Sequence, residues 1–133
     1  MNREQIDANR LLIIDELRAT KVEGVENLIA LMDKHGFFSA CCHSHDDSEG
    51  GTANHSLWVL WFARETREAL LKERPELDIP EESLTIACLS HDICDSTFPA
   101  IQGHGTRSRA ILEKSGCKVG EEVLAAVCAH SDA

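Results

Sequence analysis

The residues best suited to chemistry lie in Ala87-Cys88-Leu89-Ser90-His91-Asp92-Ile93-Cys94-Asp95, where an apolar run ends in a histidine beside an aspartate. Both side chains can ligate a hard or borderline divalent metal, imidazole through a ring nitrogen and carboxylate through oxygen. Neighbours in mid-helix point about 100° apart and rarely converge on one ion. At a helix end the backbone turns and convergence becomes possible. Pro99 and a loop bearing Ser and Thr follow, which predicts a helix end near Ile93.

Three further histidines stand in equivalent surroundings. His55 starts a helix whose Trp58, Val59 and Phe62 share its face. His91 ends a helix with Leu84, Ala87 and Cys88 on its face. His104 starts a helix with Ser108 and Ile111, and His130 ends one with Val123, Ala126 and Val127. Each is expected on the core-facing side, at one end of its helix. Antiparallel packing can gather alternate helix starts and ends at one end of a bundle. The plainer alternative is four core histidines, each with its own hydrogen bond. Burying four imidazoles without a common purpose leaves many polar atoms to satisfy, and a metal centre satisfies them together. His35, just before Gly36, is read as an ordinary helix C-terminal residue.

The elements that must position these residues are helical throughout. Ile6, Ile13 or Ile14, and Leu17 mark a helix over about 3–19. Thr20-Lys21-Val22-Glu23 has the form of a capping box, followed by Val25, Leu28, Ile29 and Met32 on one face and a stop at Gly36. Residues 37–51 carry neither a helical nor a strand period. Thr52 or Asn54 is the expected cap of a helix running to about Glu73, ended by Arg74-Pro75. Asp78-Ile79-Pro80-Glu81 starts the next, with proline in its first turn. Helices over about 104–115 and 119–130 complete a single all-α domain, 1–133, of roughly six helices.

The totals fit an ordinary globular domain, with 43% hydrophobic and 27% charged residues. Thirteen Lys and Arg against 23 Asp and Glu give a net charge of −10, which argues against binding a nucleic acid duplex. No apolar run suits a bilayer and no signal peptide is evident, so no membrane partner and a cytoplasmic location are expected. The six cysteines are then expected to be reduced, Cys88 and Cys128 as small hydrophobes within helices.

With His55, His91-Asp92, His104 and His130 in this order, the chain resembles the HD-domain superfamily of metal-dependent phosphohydrolases from about Phe37 to His130. The resemblance rests on Glu49-Gly50-Gly51-Thr52-Ala53-Asn54-His55-Ser56-Leu57-Trp58-Val59, on Leu89-Ser90-His91-Asp92-Ile93-Cys94, on Gly103-His104-Gly105 with Arg107 and Ser108, and on Glu121-Glu122-Val123-Leu124-Ala125-Ala126-Val127 leading to His130. It implies an HD-like helical bundle, with an HD core over about 22–133 and one or two divalent ions (Mn, Fe, Ni, Zn or Mg) between the helices. His55, His91 and Asp92 would be primary ligands, His104 and His130 would complete a second site, and Asp92 could bridge. Two ions about 3.5–4 Å apart can lower the pKa of bound water and polarise a phosphoryl oxygen. The implied activity is hydrolysis of a small nucleotide-like phosphomonoester or phosphodiester, with His91 and Asp92 in the catalytic centre. HD-fold di-iron oxygenases share the enlarged histidine set and offer a second reading. A catalytically decayed metal-binding or sensing module and a metal-free helical interaction domain are further ones.

Two departures bear on this. Asp95 stands where many members place Lys, and an anion there weakens phosphate binding. The family usually supplies one more Asp from beyond the last histidine; Asp132 is too close to His130 at helical spacing. Water or a symmetry partner is expected to complete the centre, and with it a homodimer. His45 is a candidate for substrate contact or proton transfer, and Arg107, one turn past His104, for binding phosphate through its planar fork. Cys41-Cys42-His43 lacks the spacing of a separate zinc site. Asp46, Asp47 and Glu49 are read as a solvated loop, and Trp58 and Trp61 as core residues.

Overall fold

The computed structural model describes residues 1–41, 48–96 and 103–130. Among them are six α-helices and no strand: α1 (Arg3–Ala19), α2 (Val25–Lys34), α3 (Gly51–Glu73), α4 (Glu81–Ser90), α5 (His104–Lys114) and α6 (Glu121–Ala129). Two 3-10 turns, Phe37–Ser39 and Ile93–Ser96, complete the framework. The all-helical bundle expected from periodicity is what forms.

Helix starts depart from the expected chemistry. Thr20 does not open α2. It closes α1, its hydroxyl donating to Leu17 O at 2.6 Å, and α2 starts at Gly24 without a side-chain cap. The capping box is at Asn2 and Gln5, each side chain accepting from the other's backbone N–H, at 2.8 and 2.9 Å. Gly50 caps α3 in place of Thr52 or Asn54, and Pro80 is itself the N-cap of α4. Gly24 has φ +84°, and a Cβ there would sit 2.0 Å from Gly116 O, so two loops meet where only glycine fits.

The core is built from Ile13, Leu17, Leu28, Met32, Phe37, Leu60, Ile86, Leu89, Ile93, Leu112 and Val127. α3 packs on α4, α5 on α6, and α4 on α6, while α1 lies against α2, α3 and α4. Arg64 on α3 ties these layers together. It pairs with Glu16 of α1 and, at 2.7 Å, with Glu81 of α4. The buried face of α3 is Thr52, Ala53, Ser56, Leu57 and Leu60, so His55 stands at its edge. Trp58, Trp61 and Phe62 are 55, 38 and 62% exposed, which overturns their expected place in the core. Trp58 and Phe62 stack on each other on the side of α3 away from its buried face. Among the described residues no helix is long and apolar enough to cross a membrane. Among the described residues, Cys41, Cys88, Cys94, Cys117 and Cys128 form no disulfide.

Candidate metal centre

Four helix ends deliver four imidazoles to one carboxylate. α4 ends at Ser90, whose buried hydroxyl donates to Ile86 O at 2.6 Å, and His91 is the C-cap. The helix therefore stops just before the His-Asp pair, three residues earlier than Ile93. The turn that follows buries Asp92, at 3% exposure.

His91 and His130 share a local device. Each caps a helix in αR geometry, and each has Nδ1 on the carbonyl three residues back: Cys88 O at 2.6 Å and Val127 O at 2.5 Å. A helix C-terminus leaves its last carbonyls without intrahelical partners. A carbonyl only accepts, so Nδ1 carries the hydrogen and the Nε2 lone pair of a neutral ring points away from the helix. In both cases it points at Asp92. His91 Nε2 is 2.9 Å from Oδ2, and His130 Nε2 is 3.1 Å from Oδ1.

The other two rings come from helix starts. His104, the first residue of α5, places Nε2 2.5 Å from Asp92 Oδ1. His55, in the second turn of α3, places Nε2 3.5 Å from Oδ2. Asp92 thus faces two separate pairs: His55 and His91 on one oxygen, His104 and His130 on the other. Each trio has its ligand atoms within 4.8 Å of one another.

The electrostatics of this arrangement favour a cation. Asp92 Oδ2 is buried and accepts no hydrogen bond among the described residues, although two imidazole nitrogens stand close by. Lone pairs facing a carboxylate repel it unless a positive ion lies between or the rings are themselves protonated. Burial raises the Asp92 pKa, but the His130, His91 and His104 rings, once protonated on both nitrogens or on Nε2, outweigh it and hold the carboxyl well below the ordinary range. The donor set suits a metal: imidazole nitrogen with carboxylate oxygen is a common set for borderline divalent ions. Each trio supplies three donors, the number that catalytic sites combine with an open position.

His45, Cys42, His43, Asp46, Asp47, Pro99 and Asp132 lie outside the described residues, as does the Asp95 side chain. Arg107 is half-buried on α5, one turn beyond His104. Cys94 is a residue that the sequence reading left out: its buried sulfur stands 3.0 Å from His104 Nδ1. Cys88, two residues before Ser90, is held by burial as a thiol with its pKa pushed up to about 11, an inert core residue whose carbonyl serves His91.

The HD domain family model matches residues 52–133. That span takes in α3 to α6 and all five converging residues, and the chain belongs to the HD-domain family. The family is in general one of metal-dependent hydrolases. No curated protein and no solved structure matched the chain.

Proposed function

We propose that the chain is a metal-dependent phosphohydrolase acting on a small nucleotide-like phosphoester, with Asp92 as the ligand common to two divalent ions. The observation that carries this reading is the division of the Asp92 oxygens between two histidine pairs. Bound divalent ions supply Lewis acidity toward a phosphoryl oxygen and lower the pKa of a bound water. They also offset substrate charge on a chain with net charge −10.

The remaining work falls to the chain's own groups. His91 and His130 present fixed Nε2 lone pairs because their Nδ1 hydrogens are committed to backbone carbonyls. Four imidazoles to one carboxylate favour Zn, Fe or Ni over Mg and Mn, which prefer oxygen ligands. Arg107 is assigned to a substrate phosphate, and His45, on the strength of the sequence alone, to substrate contact or proton transfer. Trp58 and Phe62 stack with ring centroids 6.0 Å apart, exposed and beginning one turn beyond His55. They offer an aromatic face to a base, which supports a nucleotide-like substrate. Asp95 replaces the usual lysine, so phosphate recognition rests more heavily on the ions and Arg107.

The test is a panel of phosphomonoesters and phosphodiesters offered to protein reloaded separately with Mn, Fe, Ni, Zn and Mg. Turnover that needs metal and disappears in Asp92→Asn is expected. Metal-loaded protein that turns over none of the panel would overturn the reading. The four-histidine set also favours a second reading, a di-iron oxygenase. Oxygen consumption by iron-loaded protein would select it.

A further inference from the structure

His104 is held differently from His91 and His130. Their Nδ1 atoms meet backbone carbonyls, which accept and never donate. His104 Nδ1 meets a thiol, Cys94 Sγ, at 3.0 Å. The same sulfur lies 3.4 Å from the carbonyl oxygen of His104, to which it can donate. Cys94 is fully buried. Its backbone N–H donates to the buried Ser108 hydroxyl at 3.2 Å, pinning the 3-10 turn to α5. A thiol is at once a weak donor and a weak acceptor.

We propose that Cys94 is the positioning residue for His104, a partner that lets the tautomer of this one ligand follow occupancy of the Oδ1-side site. The inference rests on the metal-centre reading above. With an ion bound by His104 Nε2, the ring hydrogen sits on Nδ1 and bonds to Cys94 Sγ, while the S–H turns to the His104 carbonyl. Without an ion, the ring hydrogen sits on Nε2 and bonds to Asp92 Oδ1 at 2.5 Å. The S–H then turns to the Nδ1 lone pair. The ring carries one hydrogen in both states, solvent exchanges it between the nitrogens, and the thiol keeps its own hydrogen and only rotates. A carbonyl at this position has no hydrogen to give and would hold a single tautomer. His91 and His130 are therefore fixed ligands, and His104 is the adjustable one.

The test compares the parent with Cys94→Ala, Cys94→Ser and His104→Ala. Nitrogen NMR of labelled histidine locates the ring hydrogen in chelator-treated and zinc-loaded protein. The S–H stretching band, isolated by subtracting Cys94→Ala, reports the thiol's partner without any metal. In the parent, the His104 hydrogen is expected on Nε2 without zinc and on Nδ1 with it, and the S–H band is expected to shift between the two states. Cys94→Ala is expected to weaken the second zinc by about 10–100-fold, the usual cost of losing an outer-shell partner. The first zinc is expected to be unaffected. Cys94→Ser, which can still donate and accept, is expected to recover part of the loss. An S–H band in metal-free protein that does not move in His104→Ala would overturn the proposal, as would equal second-zinc affinity in parent and Cys94→Ala. A band that moves in His104→Ala, with a parent that takes up no zinc, would leave the Cys94–His104 hydrogen bond standing but overturn the metal reading and, with it, the occupancy-linked tautomer.

Discussion

His91 meets His130 edge to face, with ring centroids 4.9 Å apart and planes at 89°, although one closes α4 and the other closes α6. Each ring is steered by the carbonyl three residues before it. Two helix C-termini packed side by side therefore deliver two rings of the same tautomer to one carboxylate. The centre is largely a product of how these helices end.

Asp92 sets a pH signature in the metal-free protein. Its carboxyl is held well below the ordinary range by His130, His91 and His104, against the opposing effect of burial. A lowered folded-state pKa contributes stability that is complete above the unfolded value, about 3.9. That contribution is lost only as pH falls through the lower folded value. Urea unfolding in chelator should therefore give a stability difference between parent and Asp92→Asn that is still present at about pH 5 and shrinks only below about pH 4. A difference already gone at pH 5 would show a raised Asp92 pKa.

Ser56 is fully buried, and its hydroxyl has no hydrogen-bond partner among the described residues. An unsatisfied buried polar group costs about 1–3 kcal/mol. Ser56→Ala removes the hydroxyl at little change in volume and is expected to raise stability by about 1 kcal/mol. Chemical denaturation of metal-free protein measures this. A clear loss of stability would show that the hydroxyl has a partner.

Arg64 joins α1, α3 and α4 through Glu16 and Glu81, its side chain 29% exposed. Isolated surface pairs contribute little, but a partly buried fork with two carboxylates is a network. Arg64→Ala is expected to cost about 1–3 kcal/mol, with Arg64→Lys recovering only part because ammonium lacks the planar fork. Thermal unfolding of the two variants separates loss of charge from loss of geometry.

Metal binding is expected to stabilise the fold, because ligands from α3 to α6 converge only when the bundle is formed. At a free metal concentration about 100 times the dissociation constant, the gain is about 2.7 kcal/mol per site. Chelator should lower the melting temperature of the parent and leave that of Asp92→Asn unchanged. An equal effect on both would place the metal elsewhere.

Much of this was legible in the residues. Apolar spacing marked the helices because each buries one face, and the four histidines could be singled out because each falls at the end of such a pattern. The exposure of Trp58 and Phe62 was not legible. They continue the helical period of α3, but on the side opposite its buried residues Ala53, Ser56, Leu57 and Leu60. The capping box at Thr20 failed because its hydroxyl was taken by the preceding helix, at Leu17 O. The carbonyl partners of His91 and His130 depend on ring rotamers at a helix end, and the Cys94–His104 contact on a tertiary approach; spacing encodes neither.

The measurement that tests the central claim most directly is elemental analysis of protein purified without chelator or affinity metal, made in parallel on Asp92→Asn, His55→Ala and His130→Ala. The account predicts two ions per parent chain, none in Asp92→Asn, and one in each histidine variant, because Asp92 serves both trios and each histidine only one. A parent that takes up no Mn, Fe, Zn, Ni or Mg, or an Asp92→Asn variant that keeps its full metal content, would contradict it.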